Sequence, residues 1–185
     1  MNEFITLDID KDPYIKVLTT DKVINLTGQS GSGKSTYAKN NYCSDEYVII
    51  DTDEIFSEKR FKNSSGLNKE LGLFFRKKYE DLPDLGNDFD SIYLDILDYC
   101  KDIDKTIVID CAQFHCIKDI SILKGVVKVI RTCIDTCYNR CIERFKSSYN
   151  YTESELDAYK EKKKKIYNWY HQTNEFIKKI DEFDR

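Results

Sequence analysis

The stretch Gly28-Gln29-Ser30-Gly31-Ser32-Gly33-Lys34-Ser35 fits the pattern G-x-x-x-x-G-K-[ST] and decides the fold. Before it stands Val23-Ile24-Asn25-Leu26-Thr27, which predicts a buried strand, and after it Thr36 opens a helical pattern. In that setting backbone N–H groups surround an anion at a helix N-terminus. The sequence therefore predicts that residues 28–36 bind the phosphates of a nucleoside triphosphate, with Lys34 on the β- and γ-phosphates and Ser35 on Mg²⁺.

Length and composition predict a single domain over residues 1–185. The chain is 41% hydrophobic and 34% charged, which is typical of soluble globular proteins. It has neither an apolar run long enough to span a bilayer nor an N-terminal leader pattern, so we expect a cytoplasmic protein without membrane contact. The net charge of −4 disfavours an extended nucleic-acid surface and leaves a small molecule as the expected partner.

Seven cysteines are many for this length, but their number is odd, which favours free thiols over a disulfide framework. Cys133, Cys137 and Cys141 are spaced i, i+4, i+8 and would share one helical face. Metal binding would need C-x-x-C pairs or nearby histidines. We therefore expect these three side chains to be small buried hydrophobic groups.

Three further continuous apolar runs predict strands, and such runs are typical of a parallel sheet covered on both faces. They are residues 47–51, 105–110 and 126–131. Ligands of such sheets bind beyond the carboxyl ends of the strands, where the glycine loop also lies. Residues 4–9 and 14–18 could form two short strands at an edge of the sheet.

Helical patterns fill most of the remaining chain. Residues 54–104 form a helical insertion, interrupted by a loop at 81–87, that either covers a second substrate or only packs on the core. Thr152-Glu153-Ser154-Glu155 is a capping box, which predicts a last, structural helix extending to near Ile180. The basic run at 160–165 lies in this helix and is expected to be a solvated face.

Three aspartates follow predicted strands. Asp110 ends an apolar strand, the position of an acid that holds Mg²⁺. Asp51 and Asp53 stand at i, i+2 after the strand at 47–51, so one can join the metal site while the other accepts the proton of an acceptor hydroxyl. We assign Asp51 to the metal and Asp53 to the acceptor, although capping of the following helix is the alternative.

Three arginines are further candidates for binding anionic groups of the substrates. Asp135 is expected to cap a helix that carries Arg140 and Arg144 on one face, directly before a short lid loop at 146–151. Two guanidinium groups there can clamp the phosphates, and a surface ion pair is the alternative. Arg60, just after the Asp-x-Asp turn, could hold an anionic second substrate.

Together these residues resemble the P-loop small-molecule and nucleoside-monophosphate kinases, most closely the shikimate and gluconate kinase branch. The resemblance implies a three-layer P-loop NTPase fold with strand order 2-3-1-4-5, an acceptor-binding region within 54–104 and a lid that closes on ATP. It also implies that Lys34 binds phosphate, Asp53 contacts the acceptor hydroxyl and Arg140 is the lid arginine. In place of the branch's glycine triplet this chain has Asp110-Cys111-Ala112-Gln113, so the acceptor is not expected to be shikimate.

The predicted function is an ATP- and Mg²⁺-dependent kinase acting on a small hydroxyl-bearing metabolite or a nucleotide. Lys34, Asp53, Arg140 and Arg144 are its candidate catalytic residues, and Ser35, Asp51 and Asp110 its candidate metal ligands. A polynucleotide 5′-end kinase is an alternative. Another is a nucleotide-driven switch, for which Gln113 is the one candidate to position water.

Overall fold

In a computed structural model, which describes residues 13–148 and 150–183, five strands form one mixed sheet. Four of them run parallel in the order β3-β4-β2-β5, and β1 pairs antiparallel with the outer side of β5. The strands are β1 (Tyr14–Val17), β2 (Val23–Thr27), β3 (Tyr47–Asp51), β4 (Thr106–Asp110) and β5 (Val126–Val129).

The prediction of an all-parallel sheet is therefore wrong at one edge. The position expected for a fifth parallel strand is taken by β1, whose register places Tyr14 opposite Val129 and Val17 opposite Val126. A short chain from β1 to β2 leaves no room for the crossover that a parallel partner of β5 would need. The other predicted N-terminal strand, at residues 4–9, lies outside the described residues.

Helices cover both faces of the sheet. Two short 3₁₀ turns, Phe114–Cys116 and Ile120–Ile122, follow β4. The helices are α1 (Lys34–Asn41), α2 (Thr52–Phe56), α3 (Glu58–Phe61), α4 (Gly66–Lys78), α5 (Phe89–Tyr99), α6 (Ile134–Ser148), α7 (Glu153–Lys163) and α8 (Lys165–Glu182). None of the helices in the described part of the chain is both long and apolar enough to cross a membrane.

The side chains of β4 point alternately to the two faces of the sheet and pack in two different core clusters. Val108 packs in a cluster with Tyr37 and Ala38 of α1, whereas Ile107 and Ile109 pack in the larger cluster formed with α4, α5 and α8. Successive residues of a strand point to opposite sides, so a strand with no polar face must be buried on both. This arrangement places the carboxyl ends of β2, β3 and β4 side by side.

The insertion at 54–104 is helical, as predicted, but three local expectations were wrong. The expected lid loop begins inside α6, which continues through Ser148, so the first three residues of 146–151 are helical. The single last helix is two helices, α7 and α8, separated at Lys164. Cys133 precedes α6 and is exposed, while Cys137 and Cys141 are buried as expected.

Gly125, the residue before β5, packs against the backbone of Val23 too closely for a side chain. Its φ of 69° is left-handed, and a Cβ there would lie 1.9 Å from the carbonyl oxygen of Val23. Gly66 has a φ of 55° but nothing within 4 Å of its Cβ position. We expect Gly66→Ala to lower the free energy of unfolding by about 1–2 kcal/mol, the cost of the backbone conformation alone. Gly125→Ala should lower it by about 3 kcal/mol or more, because a backbone atom must also move. Equal losses in denaturant unfolding would contradict this packing.

Candidate functional site

The glycine loop, residues 28–35, joins β2 to α1 and is held open by its backbone conformation. Gly31 and Gly33 have φ values of 84° and 92°, which side-chain-bearing residues rarely adopt. A Cβ on Gly31 would lie 2.4 Å from the carbonyl oxygen of Cys137, so α6 presses directly against the loop. Gly31 therefore stands where the loop needs a left-handed backbone conformation and where α6 leaves no room for a side chain.

Lys34, the first residue of α1, forms a buried ion pair with Asp110 at the end of β4. Their Nζ and Oδ1 atoms lie 3.1 Å apart, and the two side chains are only 12% and 2% exposed. The parallel register of β2 and β4 places Leu26 beside Asp110, which brings the loop and the aspartate together. Burial alone would lower the pKa of Lys34, but the charges of Asp110 and Asp53 more than compensate, so its pKa lies above the ordinary value. Lys34 is therefore cationic.

Asp51 and Asp53 are joined by Arg60. Asp51 Oδ1 accepts the backbone N–H of Asp53 at 2.9 Å, which caps α2 as the alternative interpretation expected. Arg60 Nη2 donates to Asp51 Oδ2 at 2.9 Å, and its Nη1 donates to Asp53 Oδ2 at 3.1 Å. Burial and the neighbouring charge of Asp110 raise the pKa of Asp51 against the opposing effect of Arg60. The sequence indicated that Arg60 could hold an anionic second substrate. In the structure its partners are the carboxylates of Asp51 and Asp53.

The two arginines of α6 reach different places. Arg140 Nη1 donates to the carbonyl oxygen of Gly31 at 3.2 Å and so braces the glycine loop from behind. Arg144, one turn later, lines the cavity in front of the loop. Asp135 was expected to cap α6, but it lies in the first turn and accepts a hydrogen bond from Tyr167 of α8.

One cavity of about 430 Å³ brings the candidate groups together. Seven residues of the glycine loop and the start of α1 line it, together with Asp53, Arg60 and Arg144. Lys34 is already paired with Asp110, and Arg60 with Asp51 and Asp53, so Arg144 is the lining cation that no carboxylate of the described residues balances. Of the predicted phosphate-binding residues, Gly28 and Ser32 are not among its lining, and neither are Asp51, Asp110 and Arg140.

The C-terminal helix α8 touches the same loop, which the sequence did not predict. Gln29 Nε2 donates to Thr173 Oγ1 at 2.6 Å, and that hydroxyl donates to the carbonyl oxygen of Trp169 at 2.8 Å. Gln29 is 4% exposed, and its Oε1 has no hydrogen-bond partner in the described part of the chain. It lines both the main cavity and a smaller one of about 200 Å³ beside α8.

The residues after β4 do not enter the main cavity. Gln113 Oε1 accepts a weak hydrogen bond from the thiol of Cys111, and the side chain is absent from the cavity lining. The ring of His115 lies 5.8 Å from that of Trp169, and burial lowers the pKa of the imidazole. Among residues 13–148 and 150–183 no group of three histidine, cysteine, aspartate or glutamate side chains suits a metal ion.

Comparisons with known proteins do not assign this chain to a family. No protein-family model matches the chain, and no curated protein sequence matches it. Fifteen chains of solved structures do match. One belongs to the "Structure of the Pnkp1/Rnl/Hen1 RNA repair complex", at 18% identity and a TM-score of 0.47. The match covers 90% of this chain and 47% of that one, so this chain spans about half of its length. What is established is a mixed α/β protein with a glycine loop that lines a cavity together with Asp53, Arg60 and Arg144.

The raised pKa of Asp51 predicts a gain in stability on removing its charge. A carboxyl whose folded pKa lies above the unfolded value of 3.8 destabilises the fold above that folded pKa, and the cost vanishes below 3.8. Asn retains the capping acceptor. We expect Asp51→Asn to raise Tm by about 2–4 °C at pH 7, with the advantage gone at pH 3.5.

Asp98→Asn is the matched control, since Asp98 is exposed and forms a surface ion pair with Lys101. Its Tm should match that of the wild type throughout the pH series. An advantage of Asp51→Asn that persists unchanged to pH 3.5 would show that ionisation of Asp51 is not the cause.

Proposed function

We propose that this protein is an ATP- and Mg²⁺-dependent phosphotransferase with a P-loop NTPase fold, which moves the γ-phosphoryl group to a hydroxyl of a small metabolite or nucleotide. The observation that carries the proposal is that one cavity holds both the glycine loop with Lys34 and the carboxylate of Asp53. Phosphoryl transfer requires anion binding and a group that receives the hydroxyl proton, within reach of each other.

Cationic groups in the cavity lining support triphosphate binding. Lys34 and Arg144 both line the space, as does the N-terminus of α1. The guanidinium of Arg144 forms no ion pair within residues 13–148 and 150–183, so it is available to phosphate oxygens. We give Arg140 the role of holding the glycine loop, since its hydrogen bond to the carbonyl oxygen of Gly31 supports that role.

The residues also fit Mg²⁺, which usually takes one or two carboxylates and completes its shell with water and substrate phosphates. Ser35 lines the cavity, and Asp110 Oδ1 is buried with Lys34 as its neighbour. Asp51 lies opposite Asp110 in the register of β3 and β4. These three side chains would hold the ion, which supplies charge neutralisation on the β- and γ-phosphates.

Asp53 is the group placed to receive the proton. The acceptor oxygen attacks the γ-phosphorus, the bond from that phosphorus to the β,γ-bridging oxygen breaks, and ADP leaves while the hydroxyl proton passes to the Asp53 carboxylate. Arg60 holds one oxygen of this carboxylate at 3.1 Å and thereby orients it. Lys34, Arg60 and Arg144 stabilise the charge that develops on the transferred group.

A nucleotide-driven switch is the weaker candidate. It requires a side chain that positions water beside the γ-phosphate, and Gln113 was the sequence candidate for that role. Gln113 instead contacts Cys111 and does not line the cavity.

Phosphate-resolved NMR of the purified protein with ATP, Mg²⁺ and pooled hydroxyl acceptors tests the proposal. We expect ADP formation to require an acceptor and to give a new phosphoester signal. Asp53→Asn should lower kcat by about 100-fold or more, because the proton acceptor is lost. Glu58→Gln is the matched control: it removes one nearby carboxylate, which is exposed and pairs with Arg76 outside the cavity, and should leave kcat unchanged. Phosphate release that needs no acceptor and survives Asp53→Asn would favour the switch.

A further inference from the structure

The lysines at the junction of α7 and α8 divide into two groups. Lys160 and Lys164 form ion pairs with Asp157 and Glu161 on their own helix, as expected for a solvated face. By contrast, Lys162, Lys163 and Lys165 form no ion pair with a carboxylate in the described residues, although the chain as a whole is acidic. The pKa of Lys165 is lowered by burial and by the charges of the other two, so the three cations repel one another. Their charge is uncompensated within this part of the protein.

Aromatic rings lie beside two of these cations. Lys165 Nζ lies 4.7 Å from the ring centre of Trp169, and Lys163 Nζ lies 5.5 Å from that of Tyr159. Lys162 lines an open groove of about 370 Å³ that is also lined by Tyr151, Tyr159 and Glu155, whose Oε2 accepts the backbone N–H of Thr152. We call Lys162, Lys163, Lys165, Tyr159 and Trp169 the lysine–aromatic surface.

Two contacts relate this surface to the phosphate cavity. The helix α8, which carries Lys165 and Trp169, contacts the glycine loop through the hydrogen bond from Gln29 to Thr173, about 12 Å along the helix from Lys165. In α6, Phe145 directly follows Arg144 of the cavity lining, lines the groove beside Lys162, and stacks on Tyr159 with 4.2 Å between the ring centres.

We propose that the lysine–aromatic surface binds single-stranded nucleic acid and presents a terminal hydroxyl of the strand to the phosphate cavity. The proposal rests on the phosphotransferase function and names its acceptor class. Three lysines without a carboxylate partner match the anionic backbone of the strand, and the rings of Tyr159 and Trp169 beside them match its bases. The lysines already lying over Tyr159 and Trp169 move aside at little cost because their side chains are flexible.

Other occupants match the surface less well. A small metabolite would fill the cavity and leave these cations unused. An acidic peptide matches the charge but has no regular planar groups for the rings. The overall charge of −4 does not oppose the proposal, since the surface needs only three cations in one place.

Binding is tested with a fluorescein-labelled ten-nucleotide single strand of mixed sequence, followed by anisotropy and by emission of Trp169, the single tryptophan of the chain. We expect binding to quench Trp169. In the triple variant Lys162→Gln, Lys163→Gln, Lys165→Gln, affinity should fall by at least tenfold. The slope of log K against log salt should become shallower by about 2, the value for three phosphate contacts. Trp169→Ala should weaken binding by about tenfold and Trp169→Phe by much less.

The matched control removes the same charge at the opposite end of the strands, with Lys22→Gln, Lys101→Gln, Lys105→Gln. These lysines line a cavity below the sheet and should leave affinity and salt slope unchanged. Equal affinity of both triple variants, no binding by the wild type, or tighter binding of polyglutamate than of the oligonucleotide would overturn the proposal.

Transfer assays separate this proposal from the function on which it rests. Oligonucleotides carrying only a 5′-hydroxyl or only a 3′-hydroxyl are offered with ATP and Mg²⁺, beside the small acceptors. Phosphorylation of an oligonucleotide by the wild type, with a KM raised at least tenfold in the Lys162, Lys163, Lys165 variant, supports both proposals. Transfer to a small acceptor only, with kcat/KM unaffected by that variant, supports the kinase and overturns the nucleic-acid acceptor. Oligonucleotide binding without transfer to any acceptor contradicts the kinase, and it overturns the acceptor role of the strand as well.

Discussion

The buried ion pair between Lys34 and Asp110 is the constraint on which the site depends. Two charges this poorly exposed are costly unless each compensates the other, and loss of either partner leaves an uncompensated buried charge. The pair forms only because β2 and β4 are direct neighbours in parallel register, which places the end of one beside the loop that follows the other. Sheet order, loop conformation and the start of α1 are thus linked through a single contact.

A second set of contacts connects the helical insertion to the cavity. Phe61 lies between two cations, with Lys69 Nζ 3.9 Å and the Arg76 guanidinium 3.6 Å from its ring centre. Its ring packs so closely on Gly72 that a Cβ there would lie 2.3 Å from it. Because Phe61 follows Arg60, this packing fixes the short helix that delivers Arg60 to Asp51 and Asp53. The insertion therefore acts on the site by orienting carboxylates, whatever its role toward an acceptor.

The sequence predicted the features that depend on neighbouring residues and missed those that depend on distant ones. Four of the five observed strands were predicted as continuous apolar or β-branched runs, and the loop between β2 and α1 was predicted by its motif. The antiparallel direction of β1 follows from pairing with a strand more than a hundred residues away, which no local pattern encodes. The contact of Gln29 with Thr173 spans 144 residues. The polar residues 146–148 indicated a loop, but they form the last turn of α6. There the hydroxyl of Ser147 donates a hydrogen bond to the carbonyl oxygen of Glu143.

Net charge has a similar limit, since a sum over 185 residues says nothing about where the charges lie. Carboxylates neutralise Lys160 and Lys164 within one turn of helix but leave the cations between and after them uncompensated. The helix α8 contacts the glycine loop through Thr173 and also carries Lys165 and Trp169 of the lysine–aromatic surface. Because one helix carries both, the distance between the phosphate cavity and this part of the surface is fixed. Such spacing matters only to a ligand long enough to occupy both, which is the physical reason to look for a polymeric acceptor.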